Sequence, residues 1–257
     1  MRKSIMIREM ELGAGKPKIC VPITGKTETE ILKEAKLAKE GGADLVEWRV
    51  DHFVEVHHLN DVIQIAKNMR EILEQLPILF TFRTEGCDNV ITQEEYMAIN
   101  EYVIRREVVD MIDIELFMGD EVCQSLSQLA HEHHCVVVIS NHDFEGTPNE
   151  QVIVERLCRM RELGADVPKI AVMPHNAEDV LTLLSATNQY ANVHADGPLI
   201  TMSMNDLGKI SRVSGEIFGS ALTFGSTVRS SAPGQMHLKD VEVMLDILHT
   251  RQGEENE

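Results

Sequence analysis

The chain has 257 residues, 43% of them hydrophobic, which is enough for one large α/β domain with a sizeable core. Its formal net charge of -18 argues against nucleic-acid or anionic-membrane partners, because phosphates would be repelled, although a local arginine cluster could still hold an anionic small molecule. The five cysteines, at 20, 87, 123, 135 and 158, form no CxxC pair, and their odd number and apolar settings predict reduced, mostly buried thiols in the cytoplasm.

At the N-terminus, Met1-Arg2-Lys3 is soon followed by Arg8 and Glu9, so a signal peptide is not expected, and no apolar run is long enough to span a bilayer. Residues 4–8 and 10–12 read as two short strands, with Gly13-Ala14-Gly15 as a turn, and residues 1–17 form an N-terminal hairpin cap. Strand 18–21 is closed by Pro22. Helix 27–40 takes Thr27 as its cap and stops at Gly41-Gly42. Strand 43–51 leads to helix 60–76, capped by Asn60. Strand 77–83 leads to helix 92–106, which opens with a Thr-x-x-Glu box at Thr92 and Glu95. Strand 109–117 is followed by helix 120–134, and strand 135–141 by helix 147–163, ended by Gly164. Strand 166–174, flanked by Pro168 and Pro174, carries Lys169. Helix 176–190, strand 198–204, a short helix 206–213, strand 219–224 and helix 238–248 complete the order, and residues 252–257 are a polar, frayed tail.

After the cap, strand and helix alternate eight times without a linker that would divide the chain. Residues 1–257 are therefore expected to form a single α/β domain, a (β/α)8 TIM barrel with an N-terminal β-hairpin cap. An open doubly wound sheet would need a Gly-rich phosphate turn or a switch-point site, and neither is present.

In a closed parallel barrel, one strand face packs on helices and the other fills the centre, so polar residues alternating with apolar ones must point inward. By that rule Glu47, Arg49 and Asp51 share one face, as do Thr81 and Arg83, Asp113 and Glu115, and Ser140 and His142. Lys169 stands on the inward face of its strand with Ala171 and Met173. An ordinary barrel centre is aliphatic. Here five strands bring ionisable groups together near their C-terminal ends, where barrel active sites lie, and such clusters mark functional sites. Desolvation is expected to lower the pKa of Lys169 and leave a neutral, nucleophilic amine.

Other features carry less. His131-Glu132-His133-His134 lacks the i, i+4 histidine pair of a zinc helix and reads as a solvated helix end, and His57-His58 reads as loop. Met202 and Met204 share a face and read as core that could line a pocket. The lysine and arginines among the carboxylates argue against a bound metal.

The stretches Glu47-Trp48-Arg49-Val50-Asp51, Phe82-Arg83, Asp113-Ile114-Glu115-Leu116, Ser140-Asn141-His142-Asp143-Phe144, Pro168-Lys169-Ile170-Ala171-Val172-Met173-Pro174, Thr201-Met202-Ser203-Met204, Ser211-Arg212 and Ser230-Ser231-Ala232-Pro233-Gly234-Gln235 together resemble the type I 3-dehydroquinate dehydratases. The likeness runs from about residue 18 to 248, with the motifs in the expected order. It implies a cytoplasmic homodimeric lyase of the shikimate route to aromatic amino acids. Such an enzyme dehydrates 3-dehydroquinate to 3-dehydroshikimate without a metal or organic cofactor. It further implies Lys169 as the Schiff-base residue, His142 as general acid–base, and Glu85 as the catalytic-loop glutamate. Glu47, Arg49, Arg83, Arg212, Ser231 and Gln235 take substrate-binding positions, supported by Asp113, Glu115, Met202 and Phe224. Pro22 stands where some members carry serine, and the loop Thr84-Glu85-Gly86-Cys87-Asp88 is shorter than in some.

This chemistry suits the residues. An iminium on Lys169 accepts the electron pair left by α-proton removal. A histidine of near-neutral pKa can take that proton and protonate the departing hydroxyl, oriented by Asp113, Glu115 or Glu47. A guanidinium fork suits the substrate carboxylate, and the segment 226–236 is expected to close over the site. A class I aldolase would use the same lysine for carbon–carbon cleavage, and a binding barrel for a polyol acid would give it no covalent role.

Overall fold

The computed structural model describes residues 3–85, 89–227 and 234–249. An antiparallel hairpin, β1 (Ile5–Ile7) and β2 (Met10–Leu12), comes first. There follow β3 (Lys18–Ile23), α1 (Glu28–Gly41), β4 (Leu45–Arg49), α2 (Leu59–Leu73), β5 (Ile78–Thr81), α3 (Gln93–Arg105), β6 (Met111–Glu115) and α4 (Asp120–Glu132). The second half runs β7 (Val136–Asp143), α5 (Glu150–Glu162), β8 (Val167–Val172), α6 (Ala177–Val193), β9 (Ile200–Ser203), α7 (Lys209–Val213), α8 (Gly215–Phe218), β10 (Leu222–Ser226), β11 (Met236–His237) and α9 (Leu238–Leu248).

Strands β3 to β9 pair in parallel with their sequence neighbours, and β10 pairs back onto β3. The curled sheet closes between β9 and β10 through a parallel bridge from Leu199 to Ser220. At that seam Ser220 Oγ also accepts the Thr201 N–H at 3.0 Å. This is the (β/α)8 barrel that the alternation predicts. The short α8 and β11 had no counterpart in the periodicity, since four and two residues are too few to show a period.

Why the barrel forms is visible in its two separate apolar clusters. Val46, Trp48, Phe80, Ile112, Ile139 and Ile170 point outward against the helices. Leu45, Leu79, Met111, Val138, Val167, Ile200 and Leu222 point inward and fill the lower centre. Ile7, Met10 and Leu12 join this inner cluster, so the hairpin plugs the N-terminal mouth. Two residues further along β4, β5, β6, β7 and β8 the same inward face becomes polar, with Glu47, Thr81, Asp113, Ser140 and Lys169, while β9 and β10 stay apolar with Met202 and Phe224; the site thus lies above an apolar floor.

The caps mostly follow the sequence. Thr27 with Glu30 and Thr92 with Glu95 form complete capping boxes. Asn60 is not a cap: α2 begins at Leu59 behind His58, and Asn60 Oδ1 instead accepts the Tyr102 hydroxyl at 2.9 Å. Helix α5 starts later than expected because Asn149 caps it, leaving the Thr147 hydroxyl to donate to the Met173 carbonyl at 3.0 Å.

Candidate active site

A cavity of about 210 Å³ opens at the C-terminal end of the barrel. Lys169, the third residue of β8, lies at its floor and is 2% exposed. Its Nζ donates to Asp113 Oδ2 at 3.0 Å and to Glu47 Oε1 at 3.1 Å, and sits 5.0 Å from the centre of the Phe224 ring. Burial alone would lower the pKa of this amine. The carboxylates of Asp113 and Glu47 outweigh it, and the net direction is upward. The expectation of a desolvated, neutral lysine is therefore corrected: at rest Lys169 is an ammonium held between two anions.

The surrounding groups lock one another. Arg83 donates to Glu115 Oε1 at 2.7 Å, to Ser140 Oγ at 3.0 Å and to Asp113 Oδ2 at 3.2 Å. The Ser140 hydroxyl in turn donates to Asp113 Oδ1 at 2.5 Å. Burial would raise the Asp113 carboxyl, but Arg83 and Lys169 hold it well below the usual carboxylate range. Glu115 also receives the backbone N–H and the hydroxyl of Thr84. Thr81 donates to Glu47 Oε1 at 3.1 Å. These buried charges are thus paired and hydrogen-bonded, the condition under which they can be tolerated.

Arg49 comes off the end of β4 and lines the cavity. Its Nε and Nη2 form a two-pronged contact to Asp51, 2.8 Å on each side. Asp51 is fully buried in the turn after the strand and takes the Arg83 backbone N–H as well, at 3.2 Å. Across the cavity, Arg212 projects from α7 and is 2% exposed. Burial brings its pKa down to about 10, so the guanidinium stays charged at neutral pH.

His142 sits on β7 opposite Ala171 of β8, and its ring stacks on Phe144 with centres 6.2 Å apart. Burial, then the charges of Arg83 and Lys169, push its pKa well below the ordinary 6.5. It is a neutral imidazole at pH 7 rather than a near-neutral titrating group. Among the described residues no hydrogen bond reaches its ring, so none of Asp113, Glu115 and Glu47 orients it directly. Neutral His142 can accept a proton, Lys169 can form a covalent bond once it loses one, and two arginines can hold an anion.

The type I 3-dehydroquinase family model matches residues 19–252. A 3-dehydroquinate dehydratase of Clostridioides difficile is 49% identical over 97% of this chain and 98% of its own length. One from Salmonella agona is 48% identical over 96% of this chain and 99% of its own. The chain belongs to the type I 3-dehydroquinases. A crystal structure of the type I 3-dehydroquinate dehydratase from Clostridium difficile, with covalently modified comenic acid, superposes with a TM-score of 0.94 at 49% identity, covering 97% of this chain and 99% of that one.

The type I 3-dehydroquinases are hydro-lyases, the enzyme class that the resemblance implied. Of the residues singled out in the sequence, Glu47, Arg49, Arg83, Glu85, His142, Lys169, Met202, Arg212, Phe224 and Gln235 all line the one cavity. Asp113 and Glu115 lie behind this lining and act on it through Lys169, Arg83 and Thr84. Ser231 lies outside the described residues, as does most of the expected cover segment; Gln235, at its far end, donates to the Gly225 carbonyl at 3.3 Å. Met204 lines the cavity with Met202. Phe144 and Ala171 also line it, and Asp51 supports it, though none of the three was singled out for a role there. Thr81 and Ser140, placed on the inward face by the period-2 rule, are bonded there to Glu47 and Asp113. Among the described residues no group of three His, Cys, Asp or Glu is placed to hold a metal.

Proposed function

We propose that the chain converts 3-dehydroquinate to 3-dehydroshikimate through an imine on Lys169, as a cytoplasmic homodimer in the shikimate route. The observation that carries this reading is a buried lysine facing a closed-ended cavity beside a neutral histidine and a buried arginine. In this reading Arg212 holds the substrate carboxylate, while Arg49, Arg83, Glu47, Gln235 and Ser231 bind the rest of the substrate. Asp113, Glu115, Met202 and Phe224 support the site.

Lys169 must first lose a proton, and the neutral imidazole of His142 is the acceptor available in the cavity. The free amine then adds to the substrate ketone, His142 returns its proton to the carbinolamine hydroxyl, and water leaves to give the iminium and a neutral imidazole again. His142 takes the α-proton, and the electron pair moves into the enamine. Collapse of the enamine expels the β-hydroxyl, which His142 protonates as it departs. Water then adds to the conjugated iminium and releases product and amine. Glu85, on the exposed rim of the cavity, is placed in this reading as the group that assists His142. Asp113 and Glu47 keep the covalent nitrogen in position and favour its cationic forms.

The direct test is the ultraviolet absorbance of the conjugated enone when 3-dehydroquinate is added. Absorbance growth that is lost in Lys169→Met supports the reading. Carbon–carbon cleavage would support an aldolase instead, and binding without turnover would support a binding barrel. Light scattering of the purified protein tests the homodimer.

A further inference from the structure

Arg212 belongs to the outer helical layer, yet its guanidinium reaches the cavity and lies 3.8 Å from Met202 Sδ. Its helix, α7, has only five residues, too few to hold a conformation by its own hydrogen bonds. Whatever fixes α7 also fixes the direction of the guanidinium.

The contacts that do this converge on Ser211. It is 4% exposed, and its Oγ accepts the Ser203 backbone N–H at 2.9 Å. The same hydroxyl donates to the Gly208 carbonyl at 2.7 Å. Ser203 is the last residue of β9, and Gly208 is the residue before α7. One hydroxyl therefore clasps the strand end to the entry of the helix. The clasp is tight: a Cβ on Gly208 would fall 2.1 Å from the Ser203 carbonyl oxygen, which only glycine avoids. Elsewhere α7 packs against α9, α8 and β10, so Ser211 is its side-chain tie to the strand end nearest the cavity.

We propose that Ser211 is a positioning residue that aims Arg212 at the substrate carboxylate by tying α7 to the end of β9. The inference rests on the carboxylate role given to Arg212 above. A guanidinium–carboxylate pair depends on alignment of both prongs, and a displacement on the order of 1 Å is enough to lose one. Without the Ser211 hydroxyl the Ser203 N–H has no acceptor in a buried site, and the turn must shift to find one.

The test measures KM, kcat and melting temperature for Ser211→Ala, Ser211→Thr, Arg212→Ala and the Ser211→Ala/Arg212→Ala pair. Ser211→Ala should raise KM about tenfold, the scale of one aligned hydrogen bond, with kcat changed by less than about threefold. Ser211→Thr keeps the hydroxyl and should restore KM. In the Arg212→Ala background, Ser211→Ala should add nothing to KM, because the group it aims is gone. If Ser211→Ala does not fold, Ser211→Cys, a weaker acceptor, carries the same expectation. A lowered melting temperature with unchanged KM, or a KM effect that persists in full without Arg212, would overturn the proposal. Unchanged KM in Arg212→Ala itself would overturn the carboxylate assignment, and this proposal with it.

Discussion

Lys169→Met is the substitution whose cost the geometry fixes most tightly. A lysine buried by itself contributes little to stability, and its removal could even be favourable. Lys169 is different, because its Nζ neutralises Asp113 at 3.0 Å and Glu47 at 3.1 Å. Methionine fills the volume but leaves two carboxylates together in a site where Asp113 has no exposure and Glu47 only 4%. Breaking a buried pair from one side costs about 3–5 kcal/mol. Arg83 still faces Asp113, which favours the lower end of that range. For a domain of this size 3–5 kcal/mol is a fall in melting temperature of roughly 6–20 °C. The loss depends on pH. Protonating a carboxylate relieves the unpaired charge, so the gap between parent and variant should be widest near neutral pH and shrink towards pH 5. In the parent the signs are separate. Asp113, with its depressed pKa, contributes stability above about 4 that is lost as pH falls, and Lys169, with its raised pKa, contributes stability below about 10.5 that is lost as pH rises through the folded value. Urea unfolding of both proteins at pH 7.5 and 5 is the assay. A Lys169→Met protein as stable as its parent at pH 7.5 would refute the reasoning.

Three further outcomes are expected. His142→Ala should lower kcat by about 10²–10⁴ with little change in binding, and the parent's acid limb of kcat/KM should fall below the ordinary histidine range, as steady-state kinetics across pH will check. Arg212→Lys keeps the charge but loses the planar fork, so KM should rise about tenfold or more while the fold persists. Leu12→Ala, made in the fully buried hairpin plug, should cost about 2–5 kcal/mol in urea without altering KM, since the plug lies at the opposite end of the barrel.

Much of this site was legible because strand periodicity is simple. Once the barrel is granted, Glu47 and Arg49 must face the same way, and so must Ser140 and His142, whatever the loops do. The charge state of Lys169 was not legible. It depends on Asp113, 56 residues away, and Glu47, 122 residues away, reaching 3.0 and 3.1 Å, and no local pattern reports those distances. The strand is buried, as its apolar run predicts, but the anions buried with it reverse the effect on the amine. The same limit applies to Asp51: the face pattern groups it with Arg49, but only the fold shows it holding Arg49 and the Arg83 backbone from a turn just beyond the strand. Asn60 misled for a different reason: it is a good capping residue one position too late, and Tyr102 on a neighbouring helix claims its side chain.

The central claim is that Lys169, an ammonium at rest, becomes the covalent nitrogen of the reaction. The most direct measurement is borohydride reduction of the protein in the presence of 3-dehydroquinate, followed by digestion and peptide mass analysis. The ligand mass is expected on the peptide containing Lys169, with none without borohydride and none in Lys169→Met. A label on another lysine such as Lys18 or Lys209, or no label on protein that turns the substrate over, would contradict it.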